Sequence, residues 1–361
     1  MQPIHPTIKG RGAADNPGNR FERLHVEPDL EASPEDDESS PPQTVYLRDS
    51  SRSIIVANDS PDVGFTHSIN PYRGCSHGCI YCYARPTHEY LGFSAGLDFE
   101  TKIMVKADAP QLLRQELGSP KWEPRTLSIS GVTDCYQPVE RKLQLTRRCL
   151  QVLVEFRNPV GMITKNHLIT RDIDLLGELA SMGAAVVMIS VTTLDAELAR
   201  RMEPRTSAPA RRLAAIEALA KASIPVGVMV APIIPGLTDH ETASILKSAA
   251  GAGAQVAGYV PVRLPLAVAP LFEQWLGRHY PDRKDKVLNR IRCLRGGKLN
   301  DSNFHSRMIG QGVFAEQMSS MFKLARRRAG LDNPFPKLRT DHFRRPGGQM
   351  TLFDAASAGG A

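Results

Sequence analysis

The sequence lacks any apolar run long enough to cross a lipid bilayer. A membrane-spanning helix needs about 20 consecutive, mostly apolar residues. The first residues, Met1 to Arg11, also lack the apolar segment of a secretory signal peptide. These absences predict a cytoplasmic protein without a membrane partner.

Cysteine is scarce outside one short stretch of the chain. Of the six cysteines, three lie between residues 75 and 82, whereas Cys135, Cys149 and Cys293 are scattered. A disulfide framework would need cysteines at regular, paired spacings. The distribution therefore argues against disulfides and favours a reducing compartment.

The cysteine-rich stretch reads Cys75-Ser76-His77-Gly78-Cys79-Ile80-Tyr81-Cys82, with the pattern C-x3-C-x2-C. Three closely spaced thiolates can bind three irons of a [4Fe-4S] cluster, and a fourth thiolate normally completes the set. No fourth cysteine is near in the sequence. One iron would therefore keep open coordination sites for a small molecule, which indicates chemistry rather than a structural site.

With the aromatic Tyr81 before the third cysteine, this motif resembles the signature of the radical S-adenosylmethionine (SAM) superfamily. The resemblance implies a [4Fe-4S] cluster on Cys75, Cys79 and Cys82, with SAM chelating the open iron through its amino and carboxylate groups. It also implies that an electron from the cluster cleaves SAM to a 5′-deoxyadenosyl radical. An external electron donor would then be a partner.

A zinc site is the alternative interpretation of the same cysteines. Its fourth ligand would be His67, His77 or His88. Structural zinc sites usually combine two pairs of closely spaced ligands, and the sequence has no second C-x2-C pair. The pattern therefore favours the cluster.

The chain of 361 residues, with a net charge of +7, is long enough for a large core and divides into four predicted regions. These are an N-terminal extension (1–65), a barrel (66–268), a basic helical region (269–346) and a tail (347–361). Seven of the twelve residues from Glu27 to Glu38 are acidic, so the extension is predicted to be largely irregular. Two less random stretches within it, Lys9–Ala13 and Asn19–Glu22, are candidates for docking on the body of the protein, but a simple tail is the favoured interpretation.

Strand-like and helix-like segments alternate from residue 66 onwards. Several of the strands are almost wholly apolar, as is typical of parallel strands covered on both faces. The predicted strands are His67–Asn70, Thr126–Ser130, Gly161–Thr164, Ala185–Val191, Pro225–Val230 and Gln255–Val262. The pattern predicts an α/β fold, a partial parallel (β/α)6 TIM-like barrel with a disordered N-terminal segment and an α-helical C-terminal extension.

Two of the predicted helices have well-defined limits. Arg141–Phe156 carries a regular apolar face, and Thr238–Ala250 begins with a capping box formed by Thr238 and Glu241. Both helices are expected to cover the sheet.

The cysteine loop directly follows the first predicted strand, so it lies at the C-terminal ends of the strands, where parallel barrels carry their chemistry. Groups that complement SAM are expected at the neighbouring strand ends. The small residues Gly131 and Thr133 would permit close backbone approach, and the Asp134 carboxylate would accept from the SAM ammonium. Lys165 would pair with the SAM carboxylate, and the hydroxyls of Ser190 and Thr192 would bind the ribose. Pro232, opposite Tyr81, would flank the adenine.

The arrangement of Asp134, Lys165 and Ser190 resembles spore photoproduct lyase and its relatives, the group labelled DNA repair photolyase, in an uncharacterised bacterial subgroup. Lyases of this family reverse a thymine dimer and return a hydrogen from a cysteine shortly after the second strand. Here that position falls near Gly131, and Cys135 lies four residues later. Cys135 is therefore either the hydrogen donor or an ordinary buried thiol.

The C-terminal region is rich in cations. A predicted helix, Gly312–Ala329, ends in Arg326-Arg327-Arg328, and aromatic residues follow. Clustered cations with aromatic faces are typical of DNA- or RNA-binding surfaces. The alternative is a solvated helical cap that closes the open barrel.

The tail contains Gln349-Met350-Thr351-Leu352-Phe353, which resembles the pentapeptide that binds the bacterial sliding clamp. The resemblance implies the clamp as a partner through Gln349–Phe353. Such a tail can also pack on its own domain.

Three functions agree with these observations. The first is a radical SAM enzyme that acts, in a lyase-like reaction, on damaged or modified nucleic acid. The second is radical SAM modification of a protein or small metabolite. The third is a zinc-stabilised nucleic-acid binding module without catalysis.

Overall fold

One large sheet organises the computed structural model, which describes residues 7–22 and 42–346. In chain order the strands are β1 (Val45–Arg48), β2 (Ile55–Ala57), β3 (His67–Ile69), β4 (Tyr72–Arg73), β5 (Lys102–Val105), β6 (Leu127–Ile129), β7 (Val160–Thr164), β8 (Ala185–Ser190), β9 (Val226–Ile233) and β10 (Val256–Pro261). The large sheet has the order β10-β9-β8-β7-β6-β3-β2. Within this sheet the strands β3, β6, β7, β8, β9 and β10 run parallel to one another, and β2 pairs antiparallel with β3.

The six parallel strands overlap the six predicted ones and confirm the α/β partial barrel. Strand β8 is buried along its whole length, which its sequence AVVMIS explains because helices cover both faces of a parallel sheet. Within the described residues β10 and β2 form the two sheet edges, so the barrel is open. One boundary was wrong, because β9 continues through Ala231 and Pro232, beyond the predicted strand end at Val230.

Helices alternate with the strands and continue beyond them. They are α1 (Leu97–Thr101), α2 (Ala109–Gly118), α3 (Glu140–Leu143), α4 (Leu145–Phe156), α5 (Ile173–Ser181), α6 (Ala196–Met202), α7 (Pro209–Lys221), α8 (Thr242–Gly251), α9 (Val268–His279), α10 (Lys284–Leu294), α11 (Ser306–Ile309) and α12 (Val313–Arg328). None of them, in the part of the chain described, is long and apolar enough to span a membrane.

Two helix predictions need correction. The segment Arg141–Phe156 is broken at Gln144, which has a left-handed φ of 50°, and the new helix α4 begins directly after it. The capping box of Thr238 and Glu241 does not form. The Thr238 hydroxyl instead accepts from the Ile234 N–H at 2.9 Å, and the Glu241 carboxylate accepts from Thr193 at 2.6 Å. Both side chains therefore form hydrogen bonds with loops at the ends of the strands instead of capping a helix.

The N-terminal extension contributes regular structure to the barrel. Strand β2 extends the large sheet, while β1 pairs with β5, which also pairs with β4, in a three-stranded sheet. Hydrogen bonds to α1 and to the segment that precedes α1 show that two N-terminal stretches dock on the protein, namely Lys9–Ala13 and Asn19–Glu22. The acidic stretch Glu27–Glu38 and the motif Gln349–Phe353 lie outside the described residues.

The C-terminal helices pack beside the cysteine loop. Phe272 and Trp275 of α9 form a buried apolar cluster with Ile80 of the loop and Met202 of α6. The Trp275 indole N–H donates to the Arg201 carbonyl at 3.1 Å. Helices α9 and α10 thus shield the barrel next to the loop, as the helical-cap interpretation predicts.

Candidate active site at the cysteine loop

The loop Cys75–Cys82 lies at the C-terminal edge of the parallel strands, after β3 and β4. Backbone hydrogen bonds fix both of its ends. The Cys75 N–H donates to the Phe99 carbonyl at 2.9 Å, and the Ile80 N–H donates to the Met202 carbonyl at 3.1 Å. Cys75 and Cys79 are buried, Cys82 is partly exposed, and all three thiols are free.

Packing brings the thiols of the loop together, because Cys82 belongs to apolar clusters with both Cys75 and Cys79, and its N–H donates to the Cys79 carbonyl at 3.2 Å. Burial raises the pKa of Cys79 well above its ordinary value, and Cys82 and Cys75 raise it further. Burial and the nearby Cys75 likewise raise the pKa of Cys82. A positively charged metal centre would reverse these shifts, because coordination deprotonates a thiol. Three free, adjacent thiols therefore fit the donor set of a [4Fe-4S] cluster, which binds each thiolate to a different iron.

The zinc alternative gains no support from the three histidines named for it. Among the residues that the structure describes, no three His, Cys, Asp or Glu side chains, the three cysteines included, are grouped so that they could hold one metal ion. A [4Fe-4S] cluster does not need such a group, because each thiolate binds a different iron. His67 lies against Trp122, and His88 lies between Phe93 and Phe99. His77 turns towards Asp134, with 3.4 Å between Nδ1 and the carboxylate.

Asp134 organises the ends of β6 and β7. Its carboxylate accepts from the Thr164 hydroxyl at 2.8 Å, from the Lys165 N–H at 2.8 Å and from the Tyr136 N–H at 2.9 Å. Burial would raise the pKa of Asp134, but the charge of His77 and these donors lower it to about 2. Both oxygens are thus occupied, and Asp134 is placed to position its neighbours.

Lys165 lies at the end of β7 and faces the cysteines. Its ammonium donates to the Ala231 carbonyl at 3.0 Å and lies 5.9 Å from the centre of the Tyr81 ring. Burial lowers the pKa of Lys165, while its charge lowers the pKa of both Cys79 and Cys82. The predicted residues Lys165, Tyr81 and Pro232, which follows Ala231, therefore meet at one place.

Glu203 and Arg212 are functional residues that the sequence analysis missed. The Glu203 carboxylate accepts hydrogen bonds from the Tyr81 phenol and from the Thr192 hydroxyl, the latter at 2.7 Å. It also forms an ion pair with Arg212, and both side chains are almost completely buried. The Arg212 guanidinium further donates to the Ser190 carbonyl at 3.2 Å. This network links the aromatic residue of the motif to the ends of β8 and α6.

The remaining predicted residues line the strand ends without converging on one point. The Thr133 hydroxyl donates to the Tyr72 carbonyl at 2.7 Å. The Gly131 carbonyl accepts from the Tyr83 phenol at 2.7 Å. Ser190 is buried beneath Thr192 at the end of β8.

Cys135 is not brought to the site. It has no exposed surface and belongs to the hydrophobic core. Its N–H donates to the Ser130 hydroxyl at 2.8 Å, and its carbonyl accepts from Thr146 at 2.8 Å. Burial raises the pKa of the thiol well above its ordinary value. A hydrogen donor must reach its substrate, so this position supports the ordinary buried thiol and we assign Cys135 no catalytic role.

The N-terminal segment packs against the cysteine loop, so the favoured interpretation of Lys9–Ala13 as a simple tail was wrong. The N–H groups of Gly12 and Ala13 donate to the Glu100 carboxylate at 3.0 and 2.9 Å, and Arg85 pairs with the same carboxylate. Gly12 lies so close to Gly78 that a Cβ at Gly12 would be 1.9 Å from the Gly78 carbonyl oxygen. Only glycine permits this contact.

Three basic C-terminal residues lie at the N-terminal ends of the strands, opposite the cysteine loop. The Arg339 N–H donates to Gly183, just before β8, and the Arg344 N–H donates to Phe156, just before β7, both at 2.9 Å. The Arg345 guanidinium donates to the Trp122 carbonyl, before β6, at 2.8 Å. These residues secure loops at the N-terminal ends of the strands, whereas the cysteines lie at the C-terminal ends.

A partial parallel barrel with three free cysteines after its first parallel strand is an arrangement that can hold a metal cluster. Residues 69–249, half of the chain, match the family model of the radical SAM superfamily. The chain belongs to this superfamily, and membership implies a [4Fe-4S] cluster and SAM.

Relatives of the chain are themselves uncharacterised. A protein of Mycobacterium tuberculosis (strain ATCC 25618 / H37Rv) is 38% identical over 220 residues, which cover 60% of this chain and 65% of the relative. A protein of Methanocaldococcus jannaschii is 29% identical over 178 residues, which cover 49% of this chain and 64% of the relative. The matches thus span less than two thirds of these curated relatives.

Among solved structures, the chain is similar to spore photoproduct lyase complexed with dinucleoside spore photoproduct. The TM-score is 0.54 at 15% identity, and the alignment covers 78% of this chain and 79% of the lyase. A variant of that lyase with bound AdoMet and dinucleoside spore photoproduct gives a TM-score of 0.54 at 16% identity, with 79% of each chain covered. At this identity the likeness shows the fold.

Proposed function

We propose that this chain uses a [4Fe-4S] cluster to cleave SAM reductively and acts on damaged or modified nucleic acid in a lyase-like reaction. The observation that carries the proposal is the meeting of three free cysteines, Tyr81 and Lys165 at the C-terminal edge of the barrel. When bound, the cluster and SAM would supply the 5′-deoxyadenosyl radical. The protein supplies binding, orientation and shielding from water.

The residues at the strand ends have separable roles in this proposal. Cys75, Cys79 and Cys82 would hold three irons, and Lys165 is the cation nearest to them that suits the carboxylate of SAM. The hydroxyl of Thr192 suits the ribose, although Glu203 already accepts from it. Asp134 acts through Lys165 and His77, since its oxygens are occupied.

Nucleic acid is the substrate class that we favour, for two reasons. The solved structures with the same fold include spore photoproduct lyase complexed with dinucleoside spore photoproduct. The chain also carries a net charge of +7, which suits a polyanionic substrate. The burial of Cys135 favours a lesion other than the thymine dimer, because no thiol is placed to return a hydrogen as in those lyases.

Anaerobic reconstitution tests the chemistry. We expect about four irons and four sulfides per chain, and formation of 5′-deoxyadenosine that requires a reductant. Stoichiometric zinc without formation of 5′-deoxyadenosine would contradict the proposal. The remaining hypothesis would then be the zinc-stabilised nucleic-acid binding module without catalysis. Deuterium transfer from a labelled oligonucleotide into 5′-deoxyadenosine would identify nucleic acid as the substrate, whereas transfer from a protein or metabolite would support the second hypothesis.

Two partners and a compartment complete the proposal. An external electron donor is needed to reduce the cluster, and the free cysteines suit the reducing cytoplasm. The pentapeptide Gln349–Phe353 would bind the sliding clamp. A chain ending at Pro346 should then lose clamp binding in a pull-down, and retention of binding would exclude this motif.

A further inference from the structure

The mouth of the barrel next to the cysteine loop contains an arginine stacked on an aromatic ring. Arg263 is the second residue after β10, which ends at Pro261, so it lies at the same C-terminal ends of the strands as the cysteines. Its guanidinium carbon is 4.7 Å from the centre of the Tyr83 ring, and Tyr83 is the residue after the third cysteine. Tyr83 is 44% exposed, and its phenol is held by the Gly131 carbonyl at 2.7 Å. The arginine therefore rests on a ring that is itself fixed in place.

The Arg263 guanidinium has N–H donors available for a ligand. Within residues 7–22 and 42–346 its guanidinium makes neither a hydrogen bond nor an ion pair, although the side chain is half-buried. The other buried arginines near the site are satisfied, because Arg85 pairs with Glu100 and Arg212 pairs with Glu203. Burial lowers the pKa of Arg263, as expected for a cation without a partner. Such a guanidinium offers a planar fork that matches phosphate and carboxylate groups.

A second arginine-aromatic pair lies close by. Arg307 stands 4.5 Å from the centre of the Phe304 ring, and Phe304 is 52% exposed. Arg307 forms an ion pair with Asp62, so its charge is compensated. The Arg295 guanidinium donates to the carbonyl oxygens of Val262 and Arg307, at 3.0 and 2.8 Å, so Arg307 lies close to the residue before Arg263. The mouth thus combines a cation that has no hydrogen-bonded partner within the described residues with exposed aromatic faces, the combination that binds single nucleic-acid strands.

We propose that Arg263 binds a backbone phosphate of the nucleic-acid substrate at the mouth of the barrel, with Phe304 as a stacking face for a neighbouring base. This inference rests on the proposed function and assigns substrate binding to the C-terminal edge of the sheet. The basic residues Arg339, Arg344 and Arg345 secure loops at the other edge. The SAM carboxylate is a poorer ligand for Arg263, because Lys165 lies over Tyr81 within the cysteine loop, whereas Arg263 lies over Tyr83 beyond the third cysteine.

The test measures binding of a short, fluorescein-labelled single-stranded DNA to the iron-loaded protein with SAM, by anisotropy at several salt concentrations. Arg263→Gln should weaken binding about tenfold or more, because a charge-assisted hydrogen bond to phosphate is lost. The slope of log K against log salt should fall by about 0.7. Arg263→Lys should keep the slope and recover part of the affinity, since it retains the charge without the fork.

The competing surface provides the matched control. The triple change Arg326→Gln, Arg327→Gln and Arg328→Gln removes more charge from the C-terminal end of α12, yet it should weaken binding less than Arg263→Gln. A larger loss in the triple variant, or an unchanged affinity in Arg263→Gln, would overturn the inference. The iron content and the thermal midpoint of unfolding show whether each variant is folded. If Arg263→Gln does not load iron, the affinity of Arg263→Lys for the oligonucleotide is compared with that of the wild type instead.

Three further outcomes separate the inference from the proposed function. Wild-type protein that forms no 5′-deoxyadenosine refutes the proposed function and, with it, this inference. If the wild-type protein cleaves SAM but binds no oligonucleotide, only the phosphate assignment is refuted. The same holds if Arg263 binds an acidic peptide instead of an oligonucleotide. A loss of SAM affinity in Arg263→Gln with oligonucleotide affinity intact would move Arg263 to the cofactor and also overturn the inference.

Discussion

The phenol of Tyr81 donates a hydrogen bond to the buried carboxylate of Glu203 and thereby ties the cysteine loop to the end of α6. The same carboxylate neutralises Arg212, whose side chain is 1% exposed. The position of the loop therefore depends on an ion pair that the chemistry itself does not use.

Replacing Glu203 tests this dependence. Glu203→Ala leaves the Arg212 charge buried without a partner, so we expect a loss of about 3–5 kcal/mol in the free energy of unfolding. Tyr81→Phe leaves the ion pair intact and removes one hydrogen bond, which should cost about 1 kcal/mol. Urea unfolding of the two variants, monitored by circular dichroism, measures the difference.

Glu197 offers a control from the same helix. Its ion pairs with Arg200 and Arg201 are exposed, so Glu197→Ala should change the free energy of unfolding by less than about 1 kcal/mol. If Glu203→Ala is no more harmful than Glu197→Ala, the loop does not depend on the buried pair.

Gly12→Ala should lift the N-terminal segment from the cysteine loop. The added Cβ would lie 1.9 Å from the Gly78 carbonyl oxygen, and neither backbone can move without breaking the bonds to Glu100. We expect a destabilisation of about 1–3 kcal/mol and a several-fold faster loss of the iron-sulfur absorbance in air. Absorbance decay of the iron-loaded protein measures the effect.

Gly18→Ala is the matched control in the same segment, because a Cβ at Gly18 would meet no atom within 4 Å. Its absorbance should decay at the wild-type rate. Equal decay in Gly12→Ala and Gly18→Ala would show that the segment does not shield the loop.

The sequence predicted the sheet, and it suggested the metal ligands, because both leave local signals. Six strand-like segments that alternate with helical ones predict parallel strands, and three cysteines within eight residues predict a metal loop. The strand ends then placed Lys165 near the cysteines, since carboxyl ends of parallel strands share one edge.

The supporting residues could not be predicted in the same way, since their roles depend on contacts between distant parts of the chain. Glu203 lies 122 residues from Tyr81, and Glu100 lies 88 residues from Gly12. In the sequence each glutamate looks like a charged residue at the end of a helix. Asp134 shows the opposite error, because its role towards SAM was inferred from its strand end while its oxygens serve Thr164, Lys165 and Tyr136. A carboxylate's partners follow from packing, which single-sequence patterns do not contain.

Lys165→Met should make the cluster harder to reduce. Lys165 is a cation whose charge acts on Cys79 and Cys82, and reduction adds a negative charge beside it. Removing the cation therefore shifts the reduction potential to a more negative value. A redox titration of the iron-loaded protein, followed by electron paramagnetic resonance in the absence of SAM, measures the shift. Lys165→Arg keeps the charge and should stay near the wild-type potential; a shift of the same size in both variants would point to a packing effect instead.

His88 should make the folded protein sensitive to acid. Its side chain is 1% exposed, and burial lowers its pKa from 6.5 to about 4. Because the unfolded chain binds a proton first, the stability from burying neutral His88 is present above pH 6.5 and is lost as the pH falls towards 4, by up to about 3 kcal/mol. His88→Leu keeps an apolar side chain between Phe93 and Phe99 without this titration. The urea midpoint of the wild type should fall relative to that of His88→Leu as the pH drops through this range; parallel curves would assign the acid sensitivity to other groups.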